Sequence, residues 1–443
     1  MKKRIIILAV ALIMTLFISG CDKVTFNVSE LMAPPKVTGE QADIQKLIEK
    51  EAGSGYTLKY PQNGTYRSSI ITMDYDNDSS EEAVAFYIPS GEAQTVHMLV
   101  MDQKNGKWTT VGNFQSKSSI VDRLLFCDLD GDNKKEIVVG WSTFNPLVND
   151  LSVYLVNEAT SVEISSENKY TDLLYGKFTG TEKEELLLLS LYTPDKPASA
   201  ALVGLNDTKN SLYSLGTTPI DADITSFKKL QCGNVFEGQF GAVIDSEVKN
   251  GNESVYSTQM IYYSNYFESL ERVSFTGEEI TNQAYRSYAV MSEDIDGDSI
   301  IEIPNTIKMN IDETQTDAVP AALIHWCEYT NLNTVKVDKL QATSIILGCR
   351  FTIPDNWQNN YTAYINYSTS EITFYEWQET GKTGDPLLVI KVFSTDVWND
   401  GISANGYTEL GRNDTSVYGF ITFETNSSIL PTNEEIINSF SII

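Results

Sequence analysis

The sequence predicts a mainly β chain: about five similar units in succession, then a small α+β domain. Three observations predict it. From about residue 55, short runs of alternating apolar and polar residues are punctuated by Asn, Gly, Ser and Asp, with hardly a helical period before the C-terminus. An acidic nine-residue pattern recurs through this region at nearly even spacing. Near Gly348 the texture changes to longer, cleanly alternating strands and a closing helix. With 42% hydrophobic and 21% charged residues, the composition is that of a folded chain.

The first twenty residues, MKKRIIILAVALIMTLFISG, read as a signal peptide. Lys2, Lys3 and Arg4 precede an apolar run from Ile5 to Phe17 that is short for a membrane span. The run ends in Ile18-Ser19-Gly20-Cys21, which resembles the lipobox of bacterial lipoproteins. That resemblance implies cleavage before Cys21 and a diacylglycerol on its thiol. The implied location is the extracytoplasmic face of the bacterial cell membrane, with the membrane as a partner through the lipid anchor. Residues 21–40, with Pro34 and Pro35, then read as a tether. The net charge of −28, made more negative by loss of the basic leader, disfavours nucleic acid as a partner.

Thr38-Gly39-Glu40-Gln41 looks like a capping box opening a short helix over 40–52, with Ile44, Leu47 and Ile48 on one face and Gly53 as its stop. The repeats follow. Asp74-x-Asp76-Asn-Asp78-x-x-x-Glu82, Asp128-x-Asp130-Gly-Asp132-x-x-x-Glu136 and Asp294-x-Asp296-Gly-Asp298-x-x-x-Glu302 share one pattern, each leading into apolar residues. A fourth copy keeps Gly180 and Glu185 but has Thr179 and Thr181 where the others have Asp. A fifth, fainter copy covers 233–241. The steps from Glu82 through Glu136, Glu185 and Gly241 to Glu302 are 54, 49, 56 and 61 residues.

Asp at positions one, three and five of a tight loop turns three carboxylates inward. The carbonyl at position seven and the Glu at position nine complete an oxygen cage of the kind that suits Ca²⁺. Gly or Asn at position four tolerates the left-handed backbone such a turn needs. The expected metal ligands are therefore Asp74, Asp76, Asp78, Glu82, Asp128, Asp130, Asp132, Glu136, Asp294, Asp296, Asp298 and Glu302. The expected role of Ca²⁺ is structural: three carboxylates in one loop repel one another without a cation.

Loops of this form at this spacing resemble the FG-GAP or VCBS-type repeats of integrin-α-like β-propellers. The resemblance covers roughly residues 65–345, and the Phe-Gly and Gly-Ala-Pro signatures of that family are missing. It implies one four-stranded blade per repeat, hence a β-propeller of about five blades over 41–345. Residues 346–443 then form the α+β domain. There, Phe351-x-Ile353-Pro354-x-x-Trp357 ahead of paired strands is similar to PsbP/Mog1-like domains. A hairpin is expected around Ser368–Ser370, and a capped final helix burying Ile436, Ile437 and Phe440.

Catalytic motifs are missing from the sequence: no G-x-S-x-G, HExxH, P-loop, G-x-G-x-x-G or CxxC. The two histidines, His97 and His325, sit in strands. Cys127, Cys232, Cys327 and Cys349 lack zinc-site spacing, and Cys127 and Cys232 share a repeat position that reads as a buried strand site. Tyr262, Tyr263, Tyr266 and Phe267, with Trp357, Trp377 and Trp398, are either blade-interface filling or stacking surfaces for sugar or peptide. The first functional expectation is a non-catalytic binding or assembly module with a protein or cell-wall glycan partner. The alternative is an envelope enzyme acting on polysaccharide through carboxylates drawn from separate loops.

Overall fold

The computed structural model describes residues 39–443 apart from 93–94, 157–159, 165, 252, 274, 276–284, 333, 358–359, 402–403 and 424–428. Residues 1–38, which hold the expected signal peptide, Cys21 and most of the expected tether, lie outside the described residues. No described helix is long and apolar enough to cross a membrane.

Helix α1 (Glu40–Ala52) leads into sheet one, formed by β1 (Thr57–Lys59), β2 (Ile70–Met73), β3 (Glu82–Ile88), β4 (His97–Lys104) and β5 (Lys107–Gln115). Sheet two holds β6 (Val121–Cys127), β7 (Glu136–Ser142), β8 (Asn149–Val156), β9 (Ser161–Ile164) and β10 (Lys169–Tyr170). Sheet three is β11 (Asp172–Gly176), β12 (Glu185–Ser190), β13 (Ser199–Leu205) and β14 (Leu212–Pro219). Sheet four is β15 (Ile224–Phe236), β16 (Gln239–Asn250), β17 (Glu253–Ser264) and β18 (Ser269–Arg272). All pair antiparallel with neighbouring strands joined in chain order across sheets three and four.

Sheet five contains β19 (Ile303–Ile307), β21 (Ala322–Asn331), β22 (Thr334–Ser344) and β23 (Cys349–Thr352). The sixth sheet contains β20 (Val319–Pro320), β24 (Tyr361–Asn366), β25 (Glu371–Trp377), β26 (Thr383–Ser394), β27 (Thr408–Arg412) and β28 (Ser416–Thr422). Helices α2 (Thr395–Asp400) and α3 (Asn433–Ser439) accompany it, and β29 (Phe440–Ile442) returns to pair with β23. Sheets five and six therefore exchange strands: β20 leaves the fifth unit to pair with β24, and β29 comes back. A clean cut between residues 345 and 346 does not describe this arrangement.

The strand sequences follow from where the sheets sit. Sheets one to five stack in chain order, and an apolar cluster fills each gap between neighbours. Inner strands thus face a sheet on both sides and read as unbroken apolar runs, as in the fully buried Glu185–Ser190. Outer strands such as β14 face solvent and alternate. Helix α1 covers the free face of sheet one, setting Ile44, Ile48 and Ala52 on Ala83 and Ala85. Burial of each of these isoleucines contributes about 1.5–3 kcal/mol. The sixth sheet covers the free face of sheet five around Phe351, Trp357 and Phe374. Among the described residues, no apolar cluster joins sheet one to sheet five.

Some local expectations need correction. Gly39 is the N-cap of α1 and no side chain caps it, so the box read at Thr38–Gln41 is not formed among the described residues. The final helix does carry a capping box, from Thr432 and Glu435. Yet Ile437 lies on the solvent side of that helix, 44% exposed, while Ile436 is buried. Helix α3 is only seven residues long, and one narrow stripe suffices to dock it.

Candidate metal centres and the central cavity

The acidic loops connect β2 to β3 in sheet one and β6 to β7 in sheet two, and precede β19 in sheet five. Each is built alike. Asp294 Oδ1 accepts from Gly297 N–H at 2.7 Å and Oδ2 from Ser299 N–H at 3.0 Å. Asp128 accepts in the same way from Gly131 at 2.7 Å and Asn133 at 3.0 Å. In the first loop Asp74 Oδ2 accepts from Ser79 N–H at 3.1 Å. The chain enters the left-handed region at position four (Asn77, Gly131, Gly297) and again at position six (Ser79, Asn133, Ser299). Position four was legible from Gly and Asn; position six was legible only at Asn133, because the serines of the other two loops give no such signal.

These turns bring carboxylate oxygens together. Asp74, Asp76, Asp78 and Glu82 each offer an oxygen within 4.8 Å of the others, as do Asp294, Asp296, Asp298 and Glu302. In the second loop only Asp128, Asp130 and Glu136 gather so closely; Asp132 is not brought into the set. Glu82 and Glu302 are buried. One oxygen of each accepts a backbone N–H, from Tyr75 at 2.9 Å and from Ile295 at 2.8 Å. The other oxygen, Oε1, is buried with no hydrogen-bond partner, as is Asp74 Oδ1. Burial raises the carboxyl pKa to about 7 for Glu82 and Glu302, with neighbouring aspartates adding to the rise. Burial and Asp130 raise Glu136 to about 8. Buried anionic oxygens without a donor are costly unless a cation faces them.

The fourth copy shows the same turn with that cost removed. Thr179 Oγ1 donates to Glu185 Oε1 at 2.5 Å, its N–H reaches Oε2 at 3.4 Å, and Thr181 Oγ1 lies 3.1 Å from Thr179 Oγ1. Hydroxyls thus satisfy Glu185 where the loops 74–82 and 294–302 leave an oxygen bare. Thr179→Ala is expected to lower stability by about 1–3 kcal/mol, equally with and without Ca²⁺, because it orphans a buried carboxylate oxygen. Denaturant unfolding in both conditions checks this. The fifth copy holds no loop: β15 turns directly into β16 through Glu237 and Gly238.

The loops also tie neighbouring sheets together. Lys135 N–H donates to Tyr75 O at 2.7 Å, Glu184 N–H to Asp128 O at 2.8 Å and Ile301 N–H to Asn234 O at 3.0 Å. In each case the residue before the repeat's Glu bonds to the preceding sheet. Lysines cross the same gaps: Lys134 Nζ lies 3.8 Å from Asp76, while Lys209 Nζ pairs with Asp130 and lies 3.7 Å from Asp132.

At the start of β6, the end remote from its acidic loop, lies a cavity of about 870 Å³. Its walls come from residues 63–65, the early parts of β6 and β11, the loop 142–149 and the middle of β15. Arg123 crosses it, donating from Nε to Asp122 at 2.8 Å and from Nη1 to Asp172 at 2.6 Å. Asp122 further accepts from Tyr170 Oη at 2.6 Å and Asn63 Nδ2 at 2.8 Å, which fixes the orientation of its carboxyl group. Asp172 is the more open carboxylate, its side chain 29% exposed. Sequence reasoning missed this group because Arg123 and Asp172 are 49 residues apart with no local pattern.

The remaining sequence candidates resolve as packing. His97 sits in β4 with Nε2 2.9 Å from Glu92, and His325 pairs with Leu340 inside sheet five. Trp357 is a core residue whose Nε1 donates to Ile429 O, so it offers no stacking surface. Tyr262 and Tyr263 fill gaps between sheets, whereas Tyr266 and Phe267 are exposed. Cys127, Cys232, Cys327 and Cys349 are free thiols. Cys127 is buried, but Cys232 is only partly so and lines the cavity, which corrects the shared buried site expected for the pair.

No known protein family matches the chain, and no curated relative does. Solved structures similar to it include a Lactobacillus plantarum protein at 10% identity and TM-score 0.28, covering 73% of this chain and 84% of that one. Another is Saccharomyces cerevisiae Sqt1, at 10% identity and TM-score 0.33, covering 78% and 93%. A candidate 6-phosphogluconolactonase from Bacteroides uniformis stands at 13% identity and TM-score 0.28, covering 76% and 92%. At these scores the likeness carries no reaction or substrate to this chain. The first functional expectation, a non-catalytic module, is not retained; the similar structures include a candidate enzyme.

Proposed function

We propose that this chain is a calcium-braced β-propeller of about five blades, lipid-anchored through Cys21 outside the bacterial cytoplasm, that acts on glycan as an envelope enzyme. The observation that carries the calcium assignment is the pair of buried, unpartnered oxygens, Glu82 Oε1 and Glu302 Oε1, each facing three aspartates. Oxygen-only donor sets of this kind fit Ca²⁺ rather than a thiolate- or imidazole-bound metal. The ions would be structural, since the loops carry backbone bonds that tie neighbouring sheets together.

The cavity is the proposed place of action. It has a mixed polar and apolar lining, is large enough for a sugar unit, and holds Asp172 open beside a guanidinium. Asp122, surrounded by donors, orients Arg123; Asp172 is the carboxylate left to meet a sugar hydroxyl or an attacking water. The test is release of reducing ends from cell-wall and plant polysaccharides by the purified protein and by Asp172→Asn. Turnover by the native protein that the variant loses supports the reading. Absence of both turnover and glycan binding overturns it.

A further inference from the structure

The three acidic loops are alike in sequence but not in what faces them. In the loop 294–302, no lysine or arginine pairs with Asp294, Asp296, Asp298 or Glu302 among the described residues; Lys339 reaches only the carbonyl of Ile295, at 3.1 Å. In the loop 74–82, Lys134 stands off at 3.8 Å from Asp76. In the loop 128–136, Lys209 comes from the β13–β14 hairpin of the next sheet, pairs with Asp130 and stands 3.7 Å from Asp132. Lys209 itself lies in the left-handed region (φ 52°), and the surrounding turn holds it there. Asn206 Oδ1 accepts the N–H groups of Asn210 and Ser211, and the N–H of Lys209 donates to Asn206 O at 2.8 Å.

We propose that the Lys209 ammonium is a built-in counter-cation of the second loop. The three loops then fill with Ca²⁺ in the order 294–302, 74–82 and 128–136. This rests on the calcium reading above and specifies how its sites differ. Two geometric facts carry it. The loops at the ends of the series, 74–82 and 294–302, leave buried carboxylate oxygens bare, whereas in the second loop Lys209 pairs with Asp130. The second loop also fails to gather Asp132 into its oxygen set, and the Lys209 ammonium, paired with Asp130, lies 3.7 Å from Asp132 as well. A divalent ion entering there must displace the ammonium from Asp130 or accept its repulsion at short range. The device keeps the junction of sheets two and three neutralised when calcium is scarce, while the other two loops depend on the ion.

Calorimetric titration of Ca²⁺ into the chelator-stripped protein tests this, with Lys209→Met and Lys209→Arg beside the native chain. Lys209 is about half exposed, so neither substitution removes core packing. The native protein should bind two ions tightly and a third at least about tenfold more weakly. Lys209→Met should bring the third site to within about threefold of the others, and Lys209→Arg should leave it weak. Adding Asp128→Asn to Lys209→Met should abolish the gained site, which places it in the second loop. Three equally tight sites in the native protein, or no gain in Lys209→Met, would overturn the proposal while leaving the calcium reading standing. Absence of Ca²⁺ binding in both proteins would overturn both.

Discussion

Saturating Ca²⁺ should raise the thermal unfolding midpoint of the purified protein by about 10 °C over its chelated form. Each site filled to about a hundredfold excess over its Kd adds about 2.7 kcal/mol, and for a long chain each kcal/mol moves the midpoint by about 2 °C. Two tight loops give the stated shift. The effect is expected to be global rather than confined to the loops, because the same loops carry the backbone bonds from Lys135 to Tyr75 and from Glu184 to Asp128 that join neighbouring sheets. Differential scanning calorimetry reads it directly. Mg²⁺ at the same concentration should do much less, since it demands six near-octahedral ligands and sheds water reluctantly. An unchanged midpoint with Ca²⁺ would remove the proposed brace.

Glu302→Gln should invert the calcium response of the fifth unit. The amide keeps an acceptor for the Ile295 N–H at 2.8 Å but removes the buried negative charge facing Asp294, Asp296 and Asp298. In chelator the variant should be as stable as the native protein or more so, because a buried charge with no donor on Oε1 is gone. In Ca²⁺ it should be less stable by about 2–3 kcal/mol, the share one tight site supplies. Chemical unfolding of both proteins in both conditions measures this crossing. A variant destabilised equally with and without Ca²⁺ would mean that Glu302 serves only as a hydrogen-bond acceptor.

How much of this was legible in the sequence depended on how local each feature is. The acidic loops were readable because every proposed ligand of a loop lies within nine residues, and that spacing gathers all four carboxylates in two of the loops and three in the other. Helix α1 was readable because Ile44 and Ile48 sit one turn apart and Gly53 stops it. The hairpin at Ser368–Ser370 formed as its flanking alternation required, with Asn366 opposite Glu371. What the sequence hid is non-local. Lys209 belongs to an ordinary-looking hairpin, and only the packing of sheet three on sheet two sets its ammonium over Asp130. The Asp122–Arg123–Asp172 group likewise exists only because β6 and β11 stand side by side. The exchange of β20 and β29 between the last two sheets left no trace in either short segment, since two or three residues carry no period. Glu185 lies between these cases. Its missing aspartates were visible at once, but the hydroxyls that replace the ion became clear only from the bonds of Thr179.

The most direct measurement of the calcium brace is an anomalous difference map from crystals of the protein grown with Ca²⁺. The account predicts peaks at about 2.3–2.6 Å from Glu82 Oε1 and Glu302 Oε1, a weaker one at Glu136, and none at Glu185. Maps with no peak at Glu82 and Glu302, or with a peak as strong at Glu185, would contradict it.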